Sequence, residues 1–148
     1  MCSIDAAVKV IGEKWALLTL RELIMGCTRF DEIVSNTGVS RDILAARLRS
    51  LEEAGIVHRE RYANKPIRYE YKLAEAGIQL FGLLHVMRDW GDRYVRDDPE
   101  NIVTFHHSCG AKLNPELHCS ACGEVLQVDS ITSDRDVHRS DIAAGSAS

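Results

Sequence analysis

The sequence predicts an α+β fold, mostly α, and three observations carry that prediction. Apolar residues recur at helical spacing through most of residues 3–95. The run from Thr28 to Leu73 reads in order as short helix, tight turn, second helix and two-stranded hairpin. One long apolar-periodic segment, Ala74 to Val95, comes after the hairpin. Helix, turn, helix and hairpin in that order describe a winged helix-turn-helix, a scaffold whose second helix enters the major groove of duplex DNA.

Each element has its own signal. Ser3 to Ile11 is periodic, with Ser3 placed to cap it and Gly12 to stop it. Lys14 to Met25 carries Trp15, Leu17, Leu18, Leu20, Leu23 and Ile24 and closes at Gly26. Thr28 and Asp31 stand three apart, as in a capping box, and open a short helix ending near Gly38. Ser40 caps the next helix, where Leu44, Leu48 and Leu51 share one face. Gly55 ends that helix where a left-handed residue is needed. Val57 to Tyr62 and Ile67 to Leu73 favour strands, joined through the turn residues Ala63-Asn64-Lys65-Pro66. Ala74 to Val95 is expected to be one long helix whose Ile78, Leu80, Phe81, Leu83, Leu84, Val86, Met87 and Trp90 cover more than one face. A single small domain cannot cover all of them, so a second copy of the chain is the natural partner.

Composition sets the limits. At 148 residues the chain accommodates one ordinary domain and a small appendage. Residues 1–96 form the expected winged domain, 102–128 the appendage, and 129–148 a polar tail without periodicity, expected to be disordered. There is no run of eighteen apolar residues and no signal-like start, which predicts a soluble, cytoplasmic protein without a membrane partner. The net charge of -4 argues against a generic polyanion binder. The distribution says more. Residues 1–73 hold 12 Lys+Arg against 10 Asp+Glu, and residues 74–148 hold 6 against 12. A basic face confined to the first half still suits phosphate.

The predicted contacts with double-stranded DNA follow from helical phase. With Leu44, Leu48 and Leu51 inward, Asp42, Ala46, Arg49 and Glu53 point outward, and Arg41 and Ala45 lie on a flank. Arg41, Asp42, Ala45, Ala46 and Arg49 are therefore placed to meet base edges, and Ser40 with the helix N-terminus to meet a phosphate. The hairpin adds Arg59, Arg61, Lys65 and Arg68 for a groove of strongly negative potential, and Arg29 adds a backbone contact. Arg47 is assigned to glutamate partners rather than to DNA.

His106-x2-Cys109 and Cys119-x2-Cys122 are two short knuckles nine residues apart, each with glycine directly after its closing cysteine, Gly110 and Gly123. Three thiolates and one imidazole satisfy tetrahedral zinc and leave no open position, so one structural zinc per chain is expected. His107 and His118 are rival fourth ligands, but only His106 repeats the x2 spacing. Nucleophile elbow, phosphate loop, HExxH helix and paired-carboxylate motif are all missing from the sequence, so no enzyme is predicted.

The residues also resemble a known family. Gly12-Glu13-Lys14-Trp15, Leu20-Arg21-Glu22-Leu23, Gly26, Arg29-Phe30 and Ile33 look like the HxlR-type bacterial transcription regulators. So do Leu44, Arg47-Leu48-Arg49, Leu51, Gly55-Ile56-Val57, Tyr69, Tyr71, Leu73 and Trp90-Gly91. The resemblance covers about Cys2 to Tyr94. It implies a homodimeric DNA-binding regulator on a pseudo-palindromic operator, dimerised through the first and last helices of the domain. It also makes Cys2 a candidate redox or electrophile sensor, against the plainer reading of a small buried residue at the dimer interface. Ser3 and Ala74 depart from the family, which usually has proline and a threonine cap there. A second reading is a zinc-ribbon interaction module without DNA binding. The inducer, a small molecule or a redox signal, is not legible.

Overall fold

The computed structural model describes residues 2–133, which divide into two compact units, residues 2–81 and residues 82–133. The part of the predicted tail from residue 134 onward lies outside the described residues. Helices α1 (Ser3–Ile11), α2 (Lys14–Ile24), α3 (Phe30–Thr37) and α4 (Arg41–Glu53) are followed by strands β1 (Val57–Asn64) and β2 (Ile67–Leu73). Helices α5 (Glu75–Ile78) and α6 (Leu80–Tyr94) come next, and short 3-10 turns occupy Pro99–Asn101 and Val128–Ser130. None of these helices is long and apolar enough to cross a membrane. The winged helix-turn-helix is thus present, with a two-stranded wing.

The core of the first unit is the inward stripe of α4. Leu44, Leu48 and Leu51 are at most 1% exposed and pack with Leu20 and Ala16 of α2, Ile33 of α3, and Val39, Ile56 and Val57. A fully buried leucine contributes about 1.5–3 kcal/mol, so this stripe alone fixes which face of α4 turns outward. The turns behave as their glycines require. Gly26, Gly38 and Gly55 all hold positive φ, and at Gly38 and Gly55 this lets the chain leave a helix sharply. Ser40 Oγ accepts the Ile43 N–H at 3.3 Å and caps α4 as expected.

Other caps differ from expectation. Cys2, not Ser3, is the N-cap of α1, and no side chain closes that end. Thr28 does not cap α3 either. The N-cap is Arg29, whose N–H donates to Glu32 Oε2 at 3.2 Å, so only the glutamate half of a capping box is made. Thr28 is used elsewhere. Its carbonyl accepts the Tyr71 N–H at 2.8 Å and its hydroxyl bonds Glu70 Oε2 at 3.3 Å. The wing is therefore hung on the residue between α2 and α3.

The wing pairs antiparallel from Val57 with Leu73 to Asn64 with Ile67, joined by Lys65-Pro66 through a cis peptide. A register shift between Arg61 and Ala63 leaves Tyr62 in a bulge. The predicted single helix over Ala74–Val95 is interrupted at Gln79, between α5 and α6. Two local features weaken its start: Ala74 offers no capping oxygen, and Gly77 lies inside the first turn. That glycine is needed, because a Cβ there would stand 2.4 Å from Ile56 O, the acceptor of the Ala74 N–H. Gly77→Ala is expected to lower unfolding free energy by about 1–3 kcal/mol, read from urea denaturation. An unchanged midpoint would contradict this packing.

In the second unit, α6 keeps an apolar stripe at the surface. Leu83, Met87, Trp90 and Tyr94 follow one another at i, i+4, i+7 and i+11, and all are exposed. None of the described residues from 82 to 133 is buried.

Candidate nucleic-acid interface

One flank of α4 and one face of the wing form a single groove. Ala45, Leu48, Arg49 and Glu52 of α4 line it with Arg59 of β1 and Tyr71 of β2, around a volume of about 430 Å³. Alternation explains why. Val57 is buried, so Arg59 and Arg61 share its side of the hairpin with their cross-strand neighbours Tyr71 and Tyr69. Burial raises the Tyr71 phenol above its ordinary pKa, with the Glu52 charge adding to the effect.

Arginines on this surface lie on aromatic rings. Arg59 and Arg61 stand over Tyr69 at 4.9 and 5.9 Å, and Arg29 stands over the bulged Tyr62 at 4.9 Å. Arg41 covers Phe30 at 4.9 Å and pairs with Asp31 at 2.6 Å. Exposed stacking of this kind is worth about 0.5–1 kcal/mol each. That is enough to orient a guanidinium, and too little to stop it from turning to a phosphate. The Arg41–Asp31 and Arg59–Glu52 pairs are equally exchangeable, since exposed ion pairs contribute about 0–1 kcal/mol.

The sequence-predicted residues are exposed with one exception, and Arg68 alternates onto the face of the hairpin opposite Arg59 and Arg61. Arg29, Ser40, Arg41, Asp42, Ala45, Arg49, Arg59, Arg61, Lys65 and Arg68 are exposed. Ala46 is half-buried and turns toward the edge of the core rather than straight outward. Lys65 sits in the wing loop, and Arg68 pairs with Ala63 beside the bulge. Arg47 forms an ion pair with Glu13, as its assignment away from DNA required. The sequence reading missed Tyr62 and Tyr69 as supports for arginines. The signal was the alternation of Arg59 and Arg61 on one strand against Tyr69 and Tyr71 on the other.

Glu22 was also missed. It is buried, accepts from Asn36 Nδ2 at 2.8 Å and pairs with Arg21 at 2.5 Å. Burial works to raise its pKa, but the bonds from Asn36 and Arg21 outweigh it and hold the carboxyl below its ordinary value. The clamp ties α2 to α3 just ahead of α4. Asn36 also reaches Cys27 Sγ at 3.4 Å. Desolvation and the nearby Glu22 and Glu32 charges raise the Cys27 thiol, which makes it a poor thiolate. Cys2 is exposed at the start of α1.

The cysteine-bearing turns lie in the second unit. Cys119 and Cys122 are brought together, and amide hydrogens of Cys122 and Ala121 point at Cys119 sulfur and lower its pKa. His106 pairs by backbone with Lys112, and His118 with Val125. Among the described residues, no three His, Cys, Asp or Glu side chains converge closely enough to hold a metal ion.

Known proteins share this arrangement. The HxlR-like helix-turn-helix family model matches residues 10–99. An uncharacterized HTH-type transcriptional regulator of Mycobacterium tuberculosis (Rv3095) is 40% identical over 131 residues, which is 88% of this chain and 83% of that protein. The crystal structure of PA1607, described as a transcription factor, superposes with a TM-score of 0.80 at 31% identity, covering 91% of this chain and 95% of that one. The oxidized form of the redox regulator HypR superposes with a TM-score of 0.60 at 36% identity, covering 65% of this chain and 99% of that one.

The Glu22 clamp has a pH signature. Its folded pKa is depressed, so its stabilisation is present above the unfolded value of about 4.3 and is lost as pH falls through the lower folded value. Glu22→Gln is expected to cost about 1–3 kcal/mol at neutral pH and to flatten the fall in thermal midpoint below about pH 4. A variant with the same acid profile as the parent would remove Glu22 from this role.

Proposed function

Since the chain belongs to the HxlR-like helix-turn-helix family, a family of DNA-binding transcription regulators and not of enzymes, we propose that it acts in the cytoplasm as a homodimer on a pseudo-palindromic operator. The observation that carries the DNA-reading residues is the groove between α4 and the wing, where Arg49 and Arg59 line opposite walls. Asp42, Ala45 and Arg49 face the major groove from α4, with Ala46 at its margin. Arg41 and Ser40 approach a phosphate at the helix N-terminus. Arg59, Arg61, Lys65 and Arg68 of the wing follow the adjacent backbone or minor groove, and Arg29 adds a phosphate contact. The dimer reading is supported by apolar residues left at the surface: Ile4 and Val8 on α1, and Leu83, Met87, Trp90 and Tyr94 on α6. Two α4 helices would then sit about 34–36 Å apart, one turn of duplex.

One observation favours a second, compatible reading, in which Cys2 senses thiol oxidants. Its thiol is exposed at the start of α1, in a helix that offers apolar surface to a partner, whereas Cys27 is held in a raised-pKa pocket. The likeness over 65% of this chain to HypR, a redox regulator, supports this reading.

Gel-shift titrations with upstream fragments test the first reading. Arg49→Ala is expected to cost about 1–3 kcal/mol on the preferred site and to relax its sequence preference. Arg61→Ala is expected to weaken all sequences alike and to reduce the salt slope by about one. Normal, salt-sensitive binding by both variants would contradict the assignment. For the second reading, diamide is expected to change DNA binding of the parent but not of Cys2→Ser. An identical response in both excludes Cys2.

A further inference from the structure

We infer that the two cysteine-bearing turns form a structural zinc site whose ligands are His107, Cys109, Cys119 and Cys122, with His107 Nδ1 rather than any atom of His106 as the nitrogen ligand. The argument is a backbone correspondence that residue spacing conceals. In the second turn the Cys119 N–H donates to Glu124 O, and Cys119 O accepts the Gly123 N–H, both at 2.8 Å. In the first turn the His107 N–H donates to Ala111 O, and His107 O accepts the Gly110 N–H, both at 2.9 Å. Gly110 and Gly123 both take positive φ, +89° and +79°. Each turn is closed by one further bond of 2.8 Å, Leu113 N–H to Phe105 O in the first and Leu126 N–H to Leu117 O in the second. The bridges complete the match, His106 with Lys112 and His118 with Val125.

Aligned in this way, His106 corresponds to His118, His107 to Cys119, and Cys109 to Cys122. The interior atoms agree as well. The Cys122 amide points at Cys119 sulfur, and the Cys109 amide points at His107 Nδ1 at 3.3 Å. A thiolate sulfur accepts such a bond and still binds a cation. The imidazole nitrogen has a single lone pair, so a cation at His107 Nδ1 takes the place of the Cys109 amide hydrogen. The first turn is one residue shorter, His107-x-Cys109 against Cys119-x2-Cys122, and the longer imidazole makes up the reach. His118 is engaged otherwise, with its Nδ1 2.9 Å from Gly123 O and its Nε2 3.3 Å from Glu116.

The physical need for an ion comes from burial. None of the described residues from 82 to 133 is buried, yet two well-formed turns of one type stand among them. A segment without a core draws its stability from elsewhere, and metal binding then counts as folding free energy. Three thiolates and one imidazole fill a tetrahedron, which assigns the ion a structural and not a catalytic role. The side chains do not converge as they stand, so closing the two turns on the ion is part of binding.

The test uses full-length protein purified under reducing conditions without added chelator. Elemental analysis is expected to find about one zinc per chain, and Cys119→Ser or Cys122→Ser to bring it below about half. Replacement of zinc by cobalt is expected to give the spectrum of a tetrahedral site with three thiolates and one imidazole, a readout that needs no variant. In competition with a chromophoric chelator, His107→Ala is expected to bind zinc at least about tenfold more weakly, with His106→Ala and His118→Ala unchanged. Circular dichroism of the winged unit confirms that each variant is folded. A metal-free parent would overturn the site. Loss on His106→Ala or His118→Ala, or no loss on His107→Ala, would overturn the ligand assignment.

Discussion

The seam between α2 and α4 is the constraint on which the proposed DNA-facing surface depends. Leu44, Leu48 and Leu51 seat against Leu20 and Ile33 with essentially no exposure, and that burial locks the rotation of α4. A helix rotates 100° per residue, so a one-residue change in which positions face inward would carry Arg49 toward the core. The positions of Asp42, Ala45 and Arg49 on α4 are therefore set by its inward leucines. The wing is fixed by different means. Its root is tied to Thr28 through Tyr71 and Glu70, and its inner edge continues the core through Ile56 and Val57.

Around that frame the charges are arranged to be exchangeable. Arginines that would meet phosphate rest on Tyr62, Tyr69 and Phe30, or on Asp31 and Glu52, in exposed contacts. Each such contact is weak beside a charge-assisted bond to phosphate in the wet, strongly negative groove. The free protein thus keeps its long side chains partly ordered, which lowers the entropy lost on binding. Buried charge is treated differently. Glu22 is closed off by Asn36 and Arg21 and belongs to the scaffold.

Much of this was legible in the sequence because local chemistry and tertiary packing agree. Ser40, Gly38 and Gly55 each serve the role their residue type suggests, and the leucine stripe of α4 reads directly as a buried face. Thr28 misled because a hydroxyl three residues before an acid is a cap only when the backbone has no better use for it. Here a strand 42 residues away claims the side chain. The long helix is interrupted at Gln79 after a start that contains Gly77, whose closeness to Ile56 O is invisible to periodicity. In the first cysteine-bearing turn, spacing points to His106, while the Cys109 N–H donates to His107 Nδ1, a bond that spacing does not reveal.

The second unit completes the account. An exposed apolar stripe on α6 and a following segment without a core both call for something outside this single chain, and the proposed second copy would answer the first of these needs. That makes two-foldness the central claim. Selection of bound sites from a random duplex pool tests it most directly. An inverted repeat with half-sites about 10 base pairs apart, centre to centre, is the predicted result. A single unrepeated motif bound by one chain would contradict it.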